Sequence, residues 1–276
     1  MNGIKANISS SRLAMQYIRW LPYQLGFINR AAFLMQIREI LSDDIYLVSY
    51  PKSGNTWLRY LVAYMITNDD SLITLDQLEY LVPDVYVSKD IIDRKKSGRI
   101  IKTHDTFFED FPRVIYIYRD YRDVILSYFH YQTSLKLFNG SFSEFIRSDQ
   151  LHTPFGSWKS HVNKALSASV LKPDTFLLLS YESLKNDFEN SLRRIADFCS
   201  IQLNVPFDLI QKKTNFESLK FLEETHGGWF SRLSNEHFFR KGEIGNWKGN
   251  ISQSDLEFIY SDDEVVSLLA HLKYEL

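Results

Sequence analysis

A chain of 276 residues, 45% of them hydrophobic, is of a size that buries one substantial core and needs no external staple. With 32 basic against 34 acidic side chains the formal charge is −2, which excludes a global electrostatic case for nucleic acid or an anionic membrane as partner. The single cysteine, Cys199, excludes an internal disulfide, and its place in the apolar pattern Leu192, Ile195, Ala196, Phe198, Cys199 predicts a buried, inert thiol suited to a reducing cytoplasm.

Residues 11–41 read as two helical pieces divided near Pro22, packed on the core or capping a pocket beside it. The apolar stretch 13–28 is broken by Gln16, Arg19, Pro22 and Gln24, and no uninterrupted run long enough to span a bilayer follows, so neither a secretory signal nor a membrane anchor is expected. Ile45-Tyr46-Leu47-Val48 predicts a buried strand. It runs directly into Tyr50-Pro51-Lys52-Ser53-Gly54-Asn55-Thr56-Trp57, which opens an amphipathic helix over 58–66. Strand, tight turn and helix in that order suit a phosphate or sulfate. Gly54 lets the backbone approach an anion, the first amides of the helix point unpaired N–H groups at it, Lys52 adds a compact charge, and the hydroxyls of Ser53 and Thr56 can donate.

Residues 71–93 read as a short helix plus loop, and 99–102 and 113–118 as buried strands. Lys102 and His104 lie two apart in an extended segment and so share a face. Arg119 ends the second strand. Asp120 caps the helix after it, over 122–132, with Asp123 in its first turn and Ser127 about two turns in. Helical spacing returns over 142–147 and 155–171, Pro173 breaks it, and 175–180 is another β-type run followed by Tyr181. Helices are expected at 187–199 and 207–211, then an irregular stretch through Gly227-Gly228, and helical pattern again from 254. Between them, Arg240-Lys241-Gly242-Glu243-Ile244-Gly245-Asn246-Trp247-Lys248 offers two cations and a glycine amide. Strands alternating with helices predict the α/β class: one domain over 1–276, a central, mostly parallel sheet with helices on both faces, and ligands at the carboxyl ends of the strands.

Four segments taken in order, namely the loop at 50–57, Lys102-Thr103-His104, Arg119 with Ser127, and Arg240-Lys241-Gly242 with its Gly245-x-Trp247-Lys248 continuation, resemble the cytosolic type of sulfotransferase. That family uses 3'-phosphoadenosine 5'-phosphosulfate (PAPS) and releases the desulfated nucleotide PAP. The likeness runs from about residue 45 to 250. It implies that Lys52, Ser53, Gly54, Asn55, Thr56 and Trp57 hold the 5'-phosphosulfate end, with Lys52 donating to the bridging oxygen and Trp57 near the adenine. Arg119, Ser127, Phe239, Arg240, Lys241 and Gly242 would enclose the 3'-phosphate side, Ser127 also restraining Lys52 until acceptor arrives. Tyr181, Thr214 and Phe216 fall on the family's adenine-contacting positions. His104 falls on the catalytic base, with Lys102 beside it to hold sulfate oxygens. The implied reaction is sulfuryl transfer to a hydroxyl or amine by positioning and electrostatics. No metal-ligand cluster stands out in the chain, so activity is expected to survive EDTA.

Departures and rivals bound this reading. Asn55 stands where the family usually has threonine, Asn246 where it has aspartate, and the dimerisation stretch of animal members is missing, which leaves oligomeric state open. A salt bridge to Asp123 is the plain structural alternative for Arg119. A P-loop kinase needs Gly-x-x-x-x-Gly-Lys-Ser/Thr, whereas here lysine precedes a single glycine. A non-catalytic nucleotide-binding protein has no need of His104 beside Lys102. The acceptor is a small molecule or, alternatively, a glycan or lipid. Segments 78–93, 130–158 and 220–238 supply aromatics (Tyr80, Tyr86, Tyr131, Phe138, Phe155, Trp229, Phe230) and carboxylates (Asp84, Asp90, Glu223, Glu224), which suit a compact aromatic or cationic natural product.

Overall fold

A strand apolar at every position must be covered on both faces, and residues 45–48 meet that condition. The computed structural model of the chain describes residues 37, 39–95, 97–227, 234 and 238–276. In it β1 (Ile45–Ser49) is joined by β2 (Ile100–Thr103), β3 (Arg113–Tyr118) and β4 (Phe176–Ser180) in a parallel sheet of order β2-β1-β3-β4. Ile45 lies opposite both Ile100 and Arg113, and Val114 opposite Phe176. The chain moves from β1 to one side and then crosses to the other, so a crevice opens beyond the carboxyl ends of β1 and β3. The Lys52 turn and Arg119 both stand there.

Twelve helices follow among the described residues: α1 (Asn55–Thr67), α2 (Leu75–Leu81), α3 (Lys89–Arg94), α4 (Tyr121–Ser134), α5 (Phe142–Ile146), α6 (Trp158–Leu171), α7 (Tyr181–Asn186), α8 (Phe188–Cys199), α9 (Phe207–Thr214), α10 (Phe216–His226), α11 (Gln253–Tyr260) and α12 (Asp263–His271). Period-two alternation sends Leu47, Ile115, Ile117 and Leu179 to one face of the sheet, against α1, α8, α9 and α10. Tyr46, Val48, Ile101, Tyr116 and Phe176 go to the other, against Ala165 and Ala168 of α6. A third cluster joins Tyr50 and α4 to α5, α6, α11 and α12. Leu47, Leu58 and Leu61 are fully buried, and each such side chain contributes roughly 2 kcal/mol.

Several local features differ from the sequence reading. The stretch expected to be irregular is helical over Phe216–His226, because the Asn215 side chain accepts from Ser218 N at 2.7 Å and starts a turn whose apolar residues Leu219 and Leu222 face the core. β2 begins one residue later than expected, since Arg99 is drawn into a buried ion pair with Asp44 (2.5 Å). Residues 71–93 hold two helices, the first started by a Thr74–Gln77 capping box. α6 begins at Trp158, after the Ser157 cap. The C-terminal helical pattern splits where Asp262 caps α12. Cys199 is half-buried, and burial pushes its thiol up to about 12, so it stays protonated. The helical pieces expected over 11–41 lie outside the described residues apart from residues 37 and 39–41, as do Trp229 and Phe230.

Candidate active site

At the end of β1 the chain turns sharply, with Lys52 at φ 69° and Gly54 at φ 100°. A Cβ at Gly54 would sit 2.6 Å from the Tyr181 ring, so both backbone and space require glycine. Gly54 is also the N-cap of α1 and offers no side-chain acceptor, which leaves the first amides of that helix available. The Lys52 ammonium lies between two rings, 4.8 Å from the centroid of Tyr131 and 4.1 Å from that of Phe238. Burial first, then the positive charges of Arg240 and Arg119, push its pKa down to about 7, against the opposite pull of Glu223.

Arg119 leaves β3 to pack over the Tyr181 ring at 4.2 Å, with Nη2 donating to Glu243 O at 2.5 Å and pairing with Asp123 at 3.2 Å. The Asp123 alternative is therefore present, yet Asp123 does more. Its carboxylate also accepts from Gly245 N and Trp247 N, both at 2.9 Å, and so anchors the loop that follows Arg240. Tyr181 OH donates to Gly242 O at 2.8 Å, joining the same loop to the Gly54 turn. Gly242, at φ 63°, has Phe216 against it, with 3.1 Å to an added Cβ.

At the end of β2 a second set of groups meets around Tyr86. Lys102 Nζ lies 4.8 Å from the Tyr86 centroid, and the His104 ring stacks on that ring at 6.2 Å and 15°. His104 is gripped at three points: Nδ1–H donates to Ser49 O (2.7 Å), its amide to Tyr86 OH (2.8 Å), and its carbonyl accepts from His161 Nε2 (2.8 Å). The first of these leaves Nε2 with a free lone pair, on a ring flanked by Phe155 at 5.2 Å. Burial, then the Lys102 charge, hold His104 well below the usual 6.5. Lys102 is paired with Asp84 at 2.9 Å, and burial lowers its pKa in spite of that partner.

Two donors test whether this neighbourhood suits an anionic nucleotide. Ser53 Oγ and Arg119 Nε are buried and hydrogen-bonded to nothing among the described residues, which is the state expected of groups shaped to meet anionic oxygens. The other expected residues fall as follows. Thr56 and Ser127 are partly exposed. Asn55 is buried, donating to Leu47 O and Ser49 Oγ. Trp57 packs on Tyr181 (5.3 Å) and Phe188, and Phe239 on Tyr60 (6.4 Å). The Thr214 hydroxyl turns back to Ile210 O at 2.7 Å. Lys241 is not drawn toward Lys52: it is exposed and donates to Asn246 Oδ1 at 3.1 Å.

The sulfotransferase domain profile matches residues 42–262 of this chain. The chain belongs to the sulfotransferase family. This sulfotransferase is 31% identical over 239 residues to Sulfotransferase 1B1 of Mus musculus, covering 78% of this chain and 79% of that protein. It is 31% identical over 256 residues to flavonol 3-sulfotransferase of Flaveria bidentis, covering 79% of each. Among solved structures, mouse sulfotransferase SULT7A1 complexed with PAP superimposes with a TM-score of 0.65 at 25% identity, covering 86% of this chain and 87% of that one.

The contacts of Asp84, Glu223 and His161 escaped the sequence reading. Asp84 and Glu223 stood out only as carboxylates near an acceptor pocket, whereas the fold pairs the first with Lys102 and binds the second to the amides of Phe238 and Phe239. His161 sits in a helix, and nothing local signals its bond to a carbonyl 57 residues away.

Proposed function

We propose that this sulfotransferase, acting as a single catalytic domain in the cytoplasm, transfers a sulfuryl group from PAPS to a hydroxyl or amine of a small-molecule acceptor by in-line displacement. When bound, PAPS supplies the activated sulfuryl group and a phosphate leaving group. The observation that carries the reading is His104, a neutral imidazole whose Nδ1–H is tied to Ser49 O, so that Nε2 is presented as a base. Lys52 is the group that holds a proton where charge grows on the departing phosphate, and its enclosure between Tyr131 and Phe238 strengthens that interaction. Burial and, after it, the Lys102 charge keep His104 unprotonated, and Lys102 adds a second positive charge. Ser53, the first amides of α1, and Arg119 with Arg240 are the donors for the nucleotide's two anionic ends. The mouse relative complexed with PAP supports the choice of donor.

The surroundings favour an aromatic acceptor over a cationic one. Tyr86 and Phe155 flank His104, while Asp84 is ion-paired, Glu223 is bound to amides, and Asp90 and Glu224 are exposed. The test is His104→Ala, assayed with radiolabelled donor against phenols, alcohols and amines. Transfer should fall about a hundredfold or more, as loss of a general base implies, while PAP affinity by calorimetry stays within about twofold. Undiminished transfer would refute His104 as the base.

A further inference from the structure

Glu223 is only 6% exposed, and a carboxylate taken out of water needs strong hydrogen-bond donors. Its two oxygens divide the task. Oε1 accepts from Phe238 N at 2.8 Å and Oε2 from Phe239 N at 3.2 Å. Two successive amides held by one carboxylate set the direction of the chain as it enters Arg240. The Phe238 ring ends 4.1 Å from Lys52 Nζ, and Phe239 packs against Tyr60 of α1. Downstream, the loop is tied by Tyr181 at Gly242 and by Asp123 at Gly245 and Trp247. Glu223 is thus the anchor on the upstream side of Arg240, and it comes from a helix, α10, separate from the elements that carry the other two.

We propose that Glu223 is a positioning residue for donor binding: a backbone clamp that seats Phe238 over the Lys52 ammonium and Arg240 beside it, while its negative charge supports protonated Lys52. The proposal rests on the nucleotide-donor reading above. It assigns Glu223 away from the acceptor, because both carboxylate oxygens are already engaged with main chain. The charge also has a direction, since Glu223 acts on Lys52 against Arg240 and Arg119.

The experiment compares wild type, Glu223→Ala and Glu223→Gln for PAP binding by calorimetry, for donor and acceptor KM, and for the pH dependence of kcat/KM, with thermal melting as a folding control. Glu223→Ala should weaken PAP binding and raise the donor KM about tenfold, the effect of losing charge-assisted bonds, with acceptor KM changed by less than about twofold. Glu223→Gln keeps one acceptor oxygen and should recover part of the affinity. It removes the charge, so its alkaline limb should still move to lower pH. A purely structural role would not produce that split between affinity and pH limb. If Glu223→Ala fails to fold, the glutamine variant decides by its pH limb. Wild type that does not bind PAP overturns the donor reading itself. Wild type that binds, with Glu223→Gln matching it in affinity and pH limb, overturns the clamp alone.

Discussion

At the donor end of this active site, Lys52, Arg119 and Arg240 crowd one another closely enough that the two arginines lower the proton affinity of the lysine, and buried donors at Ser53 and Arg119 lack partners among the described residues. At the acceptor end the charges are already matched: Lys102 to Asp84 at 2.9 Å, and behind it Arg59 to Glu79 at 2.8 Å, with His104 kept neutral. On the proposed reading the first region is built to be completed by an anion. The second is complete without one, which in the proposed mechanism keeps His104 held and uncharged while an acceptor enters. Substitutions at the two ends should therefore fail in different ways.

The largest effect is expected where a matched charge is unmatched. Asp84→Asn leaves Lys102 buried without its counter-charge and should cost about 3 kcal/mol in urea denaturation, with PAP affinity changed by less than about twofold. Equal loss of PAP affinity would show that the two ends are not separate. Acid should expose a cost of similar size in the acceptor region. Burial pushes His161 down to about 4 from 6.5, so its neutral form contributes stability that is present above 6.5 and lost as pH falls from there toward 4. The loss is about 3 kcal/mol, at roughly 1.4 kcal/mol per unit. His161→Gln should reduce the slope of the stability profile between those two pH values, leaving the share due to buried His104, and an unchanged profile would remove the His161 imidazole from the account.

At the donor end, Arg240→Ala should weaken PAP binding by about 2 kcal/mol, read by calorimetry. The smallest effect is a shift of a pH limb. Lys52 loses its proton above about 7, so kcat/KM should be sustained below that pH and decline above it, the limb from His104 lying well under 6.5. Arg240→Ala should move the alkaline limb upward, opposite to Glu223→Gln. A limb that ignores both changes would dissociate it from Lys52.

Much of the donor end was legible along the chain because its geometry is local. Lys52, Gly54 and the start of α1 lie within a few residues, and Arg119 directly follows a strand whose apolar run is unmistakable. The compensating partners were not legible. Asp84 meets Lys102 through a turn 18 residues away, His161 reaches His104 from a helix 57 residues on, and Glu223 meets Phe238 across 15 residues. The helix over Phe216–His226 replaces part of the irregular stretch expected through Gly227-Gly228, and the Asn215 cap and the apolar spacing of Leu219 and Leu222 were the signals for it.

Sequence alone determined the strand, turn and helix order, the glycine at 54, the basic residues at each loop and hence the family, because turn conformation and side-chain period depend on neighbouring residues. Tertiary structure alone decided which of those charges are neutralised. Asp84 and Glu223 find their partners, and Asp123 its bonds to Gly245 and Trp247, only when separate segments come together, and a pKa responds to distance and burial in space rather than to order along the chain.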